Sequence, residues 1–274
     1  MHAIRFQLIA GMLLVSALCA SDAWAQAVPA PAKLVTPGKL NYGTVATFAP
    51  FEYQEGDKLV GLDIDLSAAL AAKMGLKSEP LAMDFKGLIP ALQSGRIDVV
   101  IAGLYITPAR EEQIDFVPYI KIANQLVVRK GNPKKIRSRD DLCGTTIGVT
   151  LGGFQETYAR EDAKRCADAR RPEVTVLTFP SAQDAALAVS SGRADVLFNS
   201  TPGAVKQATE QPDKYEMVGD PFGADTKLGV GVRKGDADTK RAIEAALKLV
   251  VADGTYAKLL DKYRMPKWSS MFGQ

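Results

Sequence analysis

Histidine is almost absent from this 274-residue chain, His2 being the only one. That excludes Ser-His-Asp and Cys-His catalysis and nearly every zinc or copper site built on imidazole. Acid–base chemistry is left to carboxylates, lysines and tyrosines. An excess of one charge is missing too. The 34 Lys+Arg and 31 Asp+Glu leave a formal charge of +3, with the two signs interspersed. Neither a nucleic-acid stripe nor a polybasic membrane patch is expected, and no nucleic-acid partner. No apolar run reaches the roughly 20 residues of a membrane-spanning helix; the nearest covers about Leu8 to Ala20.

That apolar run has its own reading. Arg5 precedes it and Ala23-Trp24-Ala25 follows, with small residues where a signal peptidase cuts. Residues 1–25 are therefore expected to be a cleavable export signal, giving a periplasmic protein that starts at Gln26. Ser16, Ala17 and Leu18 make Cys19 a poor acylation site. Residues 26–38, rich in Ala and Pro, read as a flexible leader. Cleavage removes Cys19 and leaves Cys143 and Cys166 of the three cysteines. In an oxidising compartment such a pair is expected to form a disulfide, worth roughly 3 kcal/mol by loop entropy. With no histidine left beside the two thiols, no metal or other cofactor is expected.

The remaining length suits two lobes better than one core. Short apolar runs alternate with helical stretches: a strand over 39–47, helices over 63–74 and 85–94, and a buried strand over 97–102. That alternation predicts βαβ units and a mostly parallel sheet. An internal echo supports two units on one plan. Ala-Leu-Gln-Ser-Gly-Arg-Ile-Asp-Val-Val (91–100) parallels Ala-Val-Ser-Ser-Gly-Arg-Ala-Asp-Val-Leu (188–197), roughly a hundred residues apart and far beyond a solenoid period. Two crossings are expected, over 120–129 and 219–228. The lobes are then 39–122 with a return over 223–274, and 123–222, joined by a hinge.

Ligands in open α/β sheets bind beyond the carboxyl ends of strands, which directs attention to 103–110 and 199–202. Thr107-Pro108 has the form of a helix start. Arg110 then falls in the first turn, where a cation is disfavoured unless an anion shares the site; a surface pairing with Glu111, Glu112 or Asp115 is the alternative. In the other half, Gly152-Gly153-Phe154 follows a strand and opens a helix, which suits an anion nest. It has neither a P-loop nor a dinucleotide spacing. Phe48 and Phe85 stand where aromatic walls could form.

Phe-Ala-Pro-Phe-Glu-Tyr (48–53), Gly-Leu-Asp-Ile-Asp-Leu (61–66), Met-Asp-Phe-x-Gly-Leu-Ile-Pro-Ala-Leu (83–92) and Ala-Gly-x-x-Ile-Thr-x-x-Arg (102–110) resemble the polar amino-acid branch of the periplasmic solute-binding proteins, with the nearest likeness to glutamine-binding proteins. The resemblance runs from about Lys39 to Tyr263. It implies an α/β, two-lobed periplasmic binding protein fold of type II with a discontinuous first lobe. It also implies hinged closure on an amino acid or related carboxylate, docking on the membrane permease of an ABC importer, and action as a monomer. The family's carboxylate-binding Arg corresponds to Arg110, its ammonium-accepting carbonyl to Gly103, its aromatic walls to Phe48 and Phe85, and its nest to Gly153 and Phe154.

The chain departs from that pattern at four positions. Tyr105 stands where a Ser or Thr is usual, Ser200 where an Asp neutralises the ligand's ammonium, Val45 where glutamine binders have an acid, and Gly153 where a hydroxyl is usual. Keeping a buried Arg without its balancing acid predicts a carboxylate whose amine is masked, secondary or absent, or an apolar amino acid gripped differently. The alternative is an ordinary amino acid held by the Gly103 carbonyl, the Tyr105 hydroxyl or the Asn199 amide. The expected contacts are thus Phe48, Phe85, Gly103, Tyr105, Arg110, Gly153, Phe154, Asn199 and Ser200. A periplasmic lyase on the same fold, using Glu156 or Tyr105, is the alternative to a binding protein; catalysis is not expected.

Overall fold

The computed structural model describes residues 28–273. The expected export signal, with His2, Cys19 and Gln26, lies outside the described residues. From Val28 on, the expected leader is docked on the fold. The Val28 amide donates to the Lys73 carbonyl (3.0 Å), and the amides of Ala32 and Val35 donate to Asp238 and Asp98 at 2.8 Å each. Val28 itself is buried in the core.

The chain opens with β1 (Lys39–Thr44), then a small antiparallel sheet of β2 (Thr47–Phe48), β3 (Glu52–Glu55) and β4 (Lys58–Val60). Helix α1 (Leu62–Lys73), β5 (Lys77–Ala82), a 3-10 turn over Phe85–Gly87, α2 (Leu88–Gln93) and β6 (Val99–Val100) follow. A short α3 (Pro108–Glu111) leads into β7 (Ile114–Arg129). Then come β8 (Thr146–Thr150), α4 (Phe154–Asp168), β9 (Thr175–Phe179), α5 (Ala182–Ser190), β10 (Val196–Ser200) and α6 (Thr201–Glu210). Strand β11 (Tyr215–Arg233) and helices α7 (Ala237–Ala252) and α8 (Thr255–Lys262) complete the order.

Eight strands join in the order β5-β1-β6-β11-β7-β10-β8-β9. Strand β1 pairs parallel with β5 and β6 at one end, and β8 pairs parallel with β9 and β10 at the other. Between them β7 and β11, of 16 and 19 residues, pair antiparallel. At about 3.3 Å per residue each is long enough to run through both parallel sheets. Their ladder slips between Val218 and Phe222 and again between Phe222 and Thr226, so it is irregular where the chain passes between the two lobes. The predicted crossings at 120–129 and 219–228 fall inside this ribbon.

Each lobe buries apolar residues on both faces of its sheet. In the first, Leu40, Tyr42, Leu66 and Leu70 pack with Ile243, Leu247 and Val250 of α7, while Leu88, Leu92, Ile97 and Val100 form a second cluster. In the other lobe, Leu126, Ile147, Val149 and Phe198 pack with Ala159 and Cys166 of α4, opposite Val127, Leu197, Ala185 and Val189. Cys143 and Cys166 are joined by a disulfide with Cα atoms 5.5 Å apart.

The echoed segments do the same work in each lobe. Gly95 and Gly192 adopt φ of 76° and 79° past the helix ends. The Asp98 amide donates to the Asn41 carbonyl and its carboxylate accepts from the Asn41 amide, both at 2.8 Å. Asp195 repeats the arrangement on Thr146, at 2.8 and 2.9 Å. Each Asp therefore staples a central strand to its neighbour, which explains why the Gly-Arg-x-Asp pattern recurs.

Three elements are shorter than the sequence pattern suggests. The strand expected to 47 ends at Thr44, because the chain turns into the small sheet. The helix expected from 85 begins as a 3-10 turn. The apolar run 97–102 contributes only Val99–Val100 as strand; its other residues are buried, with the Asp98 and Ile101 amides still donating to Asn41 and Gly43 of β1.

Candidate functional site

A cavity of about 340 Å³ opens between the lobes, beyond the carboxyl ends of β1, β5, β8 and β9. Phe48 and Phe85 wall it, Gly103 and Tyr105 form its floor, and Gly153 and Phe154 bound it on the side of α4. Six of the nine sequence-derived contacts thus meet in one space. Gly103 has φ of 51°, and a Cβ there would stand 2.5 Å from the Phe48 ring. Only glycine lets the aromatic wall close onto this floor.

Arg110 stands beside the cavity and has no acidic partner among the described residues. Thr107 caps α3 as predicted, its Oγ1 accepting from the Arg110 amide at 3.3 Å. The guanidinium lies over the Phe85 ring, 5.2 Å from its centroid. Its Nη1 donates to the Tyr105 carbonyl (2.8 Å) and its Nη2 to the Gly152 carbonyl (3.0 Å) across the cleft. Burial lowers its pKa to about 10, a shift opposed by nearby Tyr105. Asp115 pairs instead with Lys234. A cation held only by two carbonyls and an aromatic face retains donors for an incoming carboxylate.

The glycine nest is partly filled from within the protein. The Gly152 amide donates to Glu156 Oε2 (2.8 Å) and the Gly153 amide to the Thr150 carbonyl (3.0 Å). Helix α4 begins at Phe154 with no side chain capping it, so its first amides are the part of the nest open to an anion.

Tyr105 contributes its ring and withholds its hydroxyl. Its Oη donates to Asn124 Oδ1 (2.9 Å) and accepts from Gln155 Nε2 (2.8 Å), and the ring lies 5.2 Å from that of Phe154. Burial raises the phenol pKa further above its ordinary value. Asn199 and Ser200 do not line this cavity. Asn199 faces an adjoining one with Lys206 and Gln207, and donates to Gln207 Oε1 at 3.3 Å. Ser200 is fully buried and caps α6, its Oγ accepting from the Gly203 amide at 3.2 Å.

Among the lining residues outside the nine expected contacts, Asp84 and Gln155 bear most on ligand chemistry. Asp84 is exposed at the cavity beside Phe85 and, among the described residues, is its only charged lining residue. Its place next to a wall aromatic in Met83-Asp84-Phe85 was the available signal. Gln155 follows the nest directly. Its Nε2 is held by Tyr105 and by Asn124 Oδ1 (3.0 Å), while its Oε1 stands 3.4 Å from the position of a Cβ on Gly153, which borders the cavity. It therefore presents an acceptor.

Two α/β lobes joined by a two-stranded ribbon, with a small-molecule cavity between facing strand ends, define a two-lobed solute-binding protein. The chain belongs to the bacterial extracellular solute-binding proteins, family 3, whose model matches residues 40–266. It is 33% identical over 238 residues to the lysine/arginine/ornithine-binding periplasmic protein of Escherichia coli K12, covering 83% of this chain and 88% of that one. It is 46% identical over 123 residues to the arginine-binding extracellular protein ArtP of Bacillus subtilis 168, a match spanning 45% of this chain and 48% of ArtP. Among solved structures, an ancestral arginine-binding protein bound to arginine has a TM-score of 0.77 at 40% identity, covering 82% of this chain and 98% of that one.

Proposed function

We propose that this chain is the periplasmic substrate-binding component of an ABC importer and captures a basic amino acid, arginine or a close relative. The observation that carries this reading is a cavity with one carboxylate, Asp84, set against two aromatic walls, next to an arginine that has no acidic partner. An amino acid whose carboxylate takes Arg110 and the first amides of α4 can lay a cationic side chain between Phe48 and Phe85, toward Asp84. The Gln155 Oε1 and the Gly103 backbone are acceptors for its amine. The cavity volume lies in the usual range for small-molecule sites, roughly 300–1,000 Å³. The relatives that bind arginine, or lysine, arginine and ornithine, point the same way.

Of the ligands the sequence leaves open, this reading takes the ordinary amino acid over a carboxylate with a masked, secondary or absent amine. Asp84 and Gln155 provide polar partners that were not counted there, so the loss of an acid at Ser200 does not leave the cavity without acceptors. The Tyr105 hydroxyl and the Asn199 amide are engaged elsewhere. The lyase alternative gains no support. Glu156 is tied to Arg160 (2.5 Å) and to the Gly152 amide, and the Tyr105 hydroxyl donates its hydrogen bond to Asn124.

The division into lobes 39–122 plus 223–274, and 123–222, is part of the proposal and agrees with the ladder slips near Phe222. So are an export signal over 1–25, a monomeric state and docking on the importer's membrane permease. A thermal-shift panel of the twenty amino acids on refolded, ligand-free protein tests the ligand class. A ligand at 100 times its Kd adds about 2.7 kcal/mol. Arginine and lysine should give the largest shifts, and Asp84→Asn should reduce them about tenfold in affinity while leaving a neutral amino acid unchanged. Preference for an acidic amino acid would reject the reading.

A further inference from the structure

Directly behind the Gly103 floor lie two carboxyls that the binding site does not itself expose. Glu52 on β3 and Asp63 in the first turn of α1 are both fully buried. Asp63 Oδ2 accepts from the Gly103 amide at 2.6 Å, and the Tyr119 hydroxyl reaches its two oxygens at 2.7 and 2.8 Å. No N–H or O–H donor of a neighbouring residue reaches either Glu52 oxygen; its hydrogen-bonding neighbour is the Asp63 carboxyl, and its Oε1 stands 3.7 Å from where a Cβ on Gly103 would be. The groups facing the pair are the phenols of Tyr42 on β1 and Tyr119 on β7, with Tyr256 of α8 behind Tyr119. Among the described residues, no lysine or arginine acts on either carboxyl.

Two carboxylates this close in a dry interior cannot both be ionised. Donors converge on Asp63, and the start of α1 favours an anion there. Glu52, without donors, is the member that keeps a proton. Burial first, then the neighbouring Asp63, raises the Glu52 pKa well above its ordinary value. Asp63 is pushed up to about 6 by burial, against the opposing pull of the Gly103 amide, the Tyr119 hydroxyl and a hydrogen bond from Glu52. Near neutral pH the pair thus carries one negative charge and meets no protein cation. We propose that Glu52 and Asp63 hold one proton between them, and that the single negative charge they keep beneath Gly103 is the counter-charge for the amine of the bound ligand. Asp63 acts through the backbone as a positioning residue, fixing the Gly103 peptide while its charge is felt through the floor. This role falls to the pair because Ser200, buried away from the cavity, is neutral and spent on capping α6. The inference rests on the basic-amino-acid reading and deepens it.

Calorimetric titration with L-arginine and with 5-guanidinopentanoate, which is arginine without its α-amine, isolates the amine. The wild type should prefer arginine by at least tenfold at pH 7.5. That preference should fall as pH drops through about 6, where Asp63 takes up its proton. Asp84 meets the guanidinium of both ligands, so its titration cancels in the ratio. Asp63→Asn keeps an acceptor for the Gly103 amide and should bind the two ligands within about threefold of each other at every pH. An Asp63→Asn protein that retains the wild-type ratio, or a wild-type ratio that does not change with pH, overturns the proposal. Should that variant not fold, carboxyl carbon NMR of the wild type at pH 7 decides: one protonated and one ionised carboxyl is expected, and two of either kind overturns it. If the wild type binds neither compound, the ligand reading fails by itself. The same ratio is then measured with whichever amino acid raises the melting temperature and its desamino analogue.

Discussion

Replacing Arg110 by alanine should weaken arginine binding by roughly two orders of magnitude. Without ligand, the guanidinium spends two of its five donors on the carbonyls of Tyr105 and Gly152, at 2.8 and 3.0 Å, the second across the cleft. Ligand entry exchanges these for a carboxylate in a largely desolvated site. Truncating one partner of such a pair costs about 2–5 kcal/mol. The variant also no longer has to break the two carbonyl contacts, which returns part of that cost and leaves about 3 kcal/mol net. At about 1.4 kcal/mol per decade the dissociation constant rises on the order of 150-fold. Arg110→Lys keeps the charge but not the planar fork, so a loss of about tenfold is expected. Isothermal titration of the three proteins with L-arginine measures both effects. An Arg110→Ala protein that binds within threefold of wild type would show that the ligand carboxylate sits elsewhere and that Arg110 is only a latch between the lobes.

Three further outcomes follow from the geometry. Replacing Cys143 and Cys166 by serine releases a loop with a sequence separation of 23. The loss is about 3 kcal/mol, read as a melting temperature roughly 6–12 °C lower by calorimetry; a change below 2 °C would refute the entropic account. Because the Asp63 pKa is raised in the folded state to about 6, the folded protein binds that proton more tightly than the unfolded chain. Its contribution is full below about pH 4 and is lost as pH rises through about 6, an effect on the order of 3 kcal/mol. Denaturant titrations of wild type and Asp63→Asn across this range should show the wild-type decline flattened in the variant; parallel curves would contradict it. Ser200→Ala removes the α6 cap and should cost about 1 kcal/mol of stability, with arginine affinity within twofold; a large affinity loss would mean Ser200 touches the ligand.

The fold was legible because its signals are local. The 3.6-residue periodicity of α1, the Thr107-Pro108 start of α3 and the repeated Gly-Arg-x-Asp unit each report a nearby backbone requirement. Arg110 stood out for a similar reason, since a cation in a first helical turn conflicts with the helix dipole. Ser200 and Asn199 were drawn into the site by their position at a strand end, yet the structure spends both within their own lobe. Serine at a strand-to-helix junction is first a cap, and a position in the chain does not say which way the side chain turns. Tyr105 shows the same effect in part: its ring reaches the cavity, but Asn124 and Gln155, distant in sequence, claim its hydroxyl. Asp84 was passed over because a single acid before a phenylalanine has no periodic or capping signature. The Glu52–Asp63 pair was equally silent, since burial of two acids in one spot depends on the packing of β3 against α1 and β7.

The central claim is that the cavity between the lobes receives one basic amino acid, and isothermal titration of the unfolded-and-refolded protein with L-arginine tests it most directly. The account predicts a single site per chain, micromolar affinity or tighter, and a negative heat-capacity change as Phe48 and Phe85 close over the side chain. No heat at millimolar arginine, alongside clear binding of an acidic or amine-free carboxylate, would contradict it.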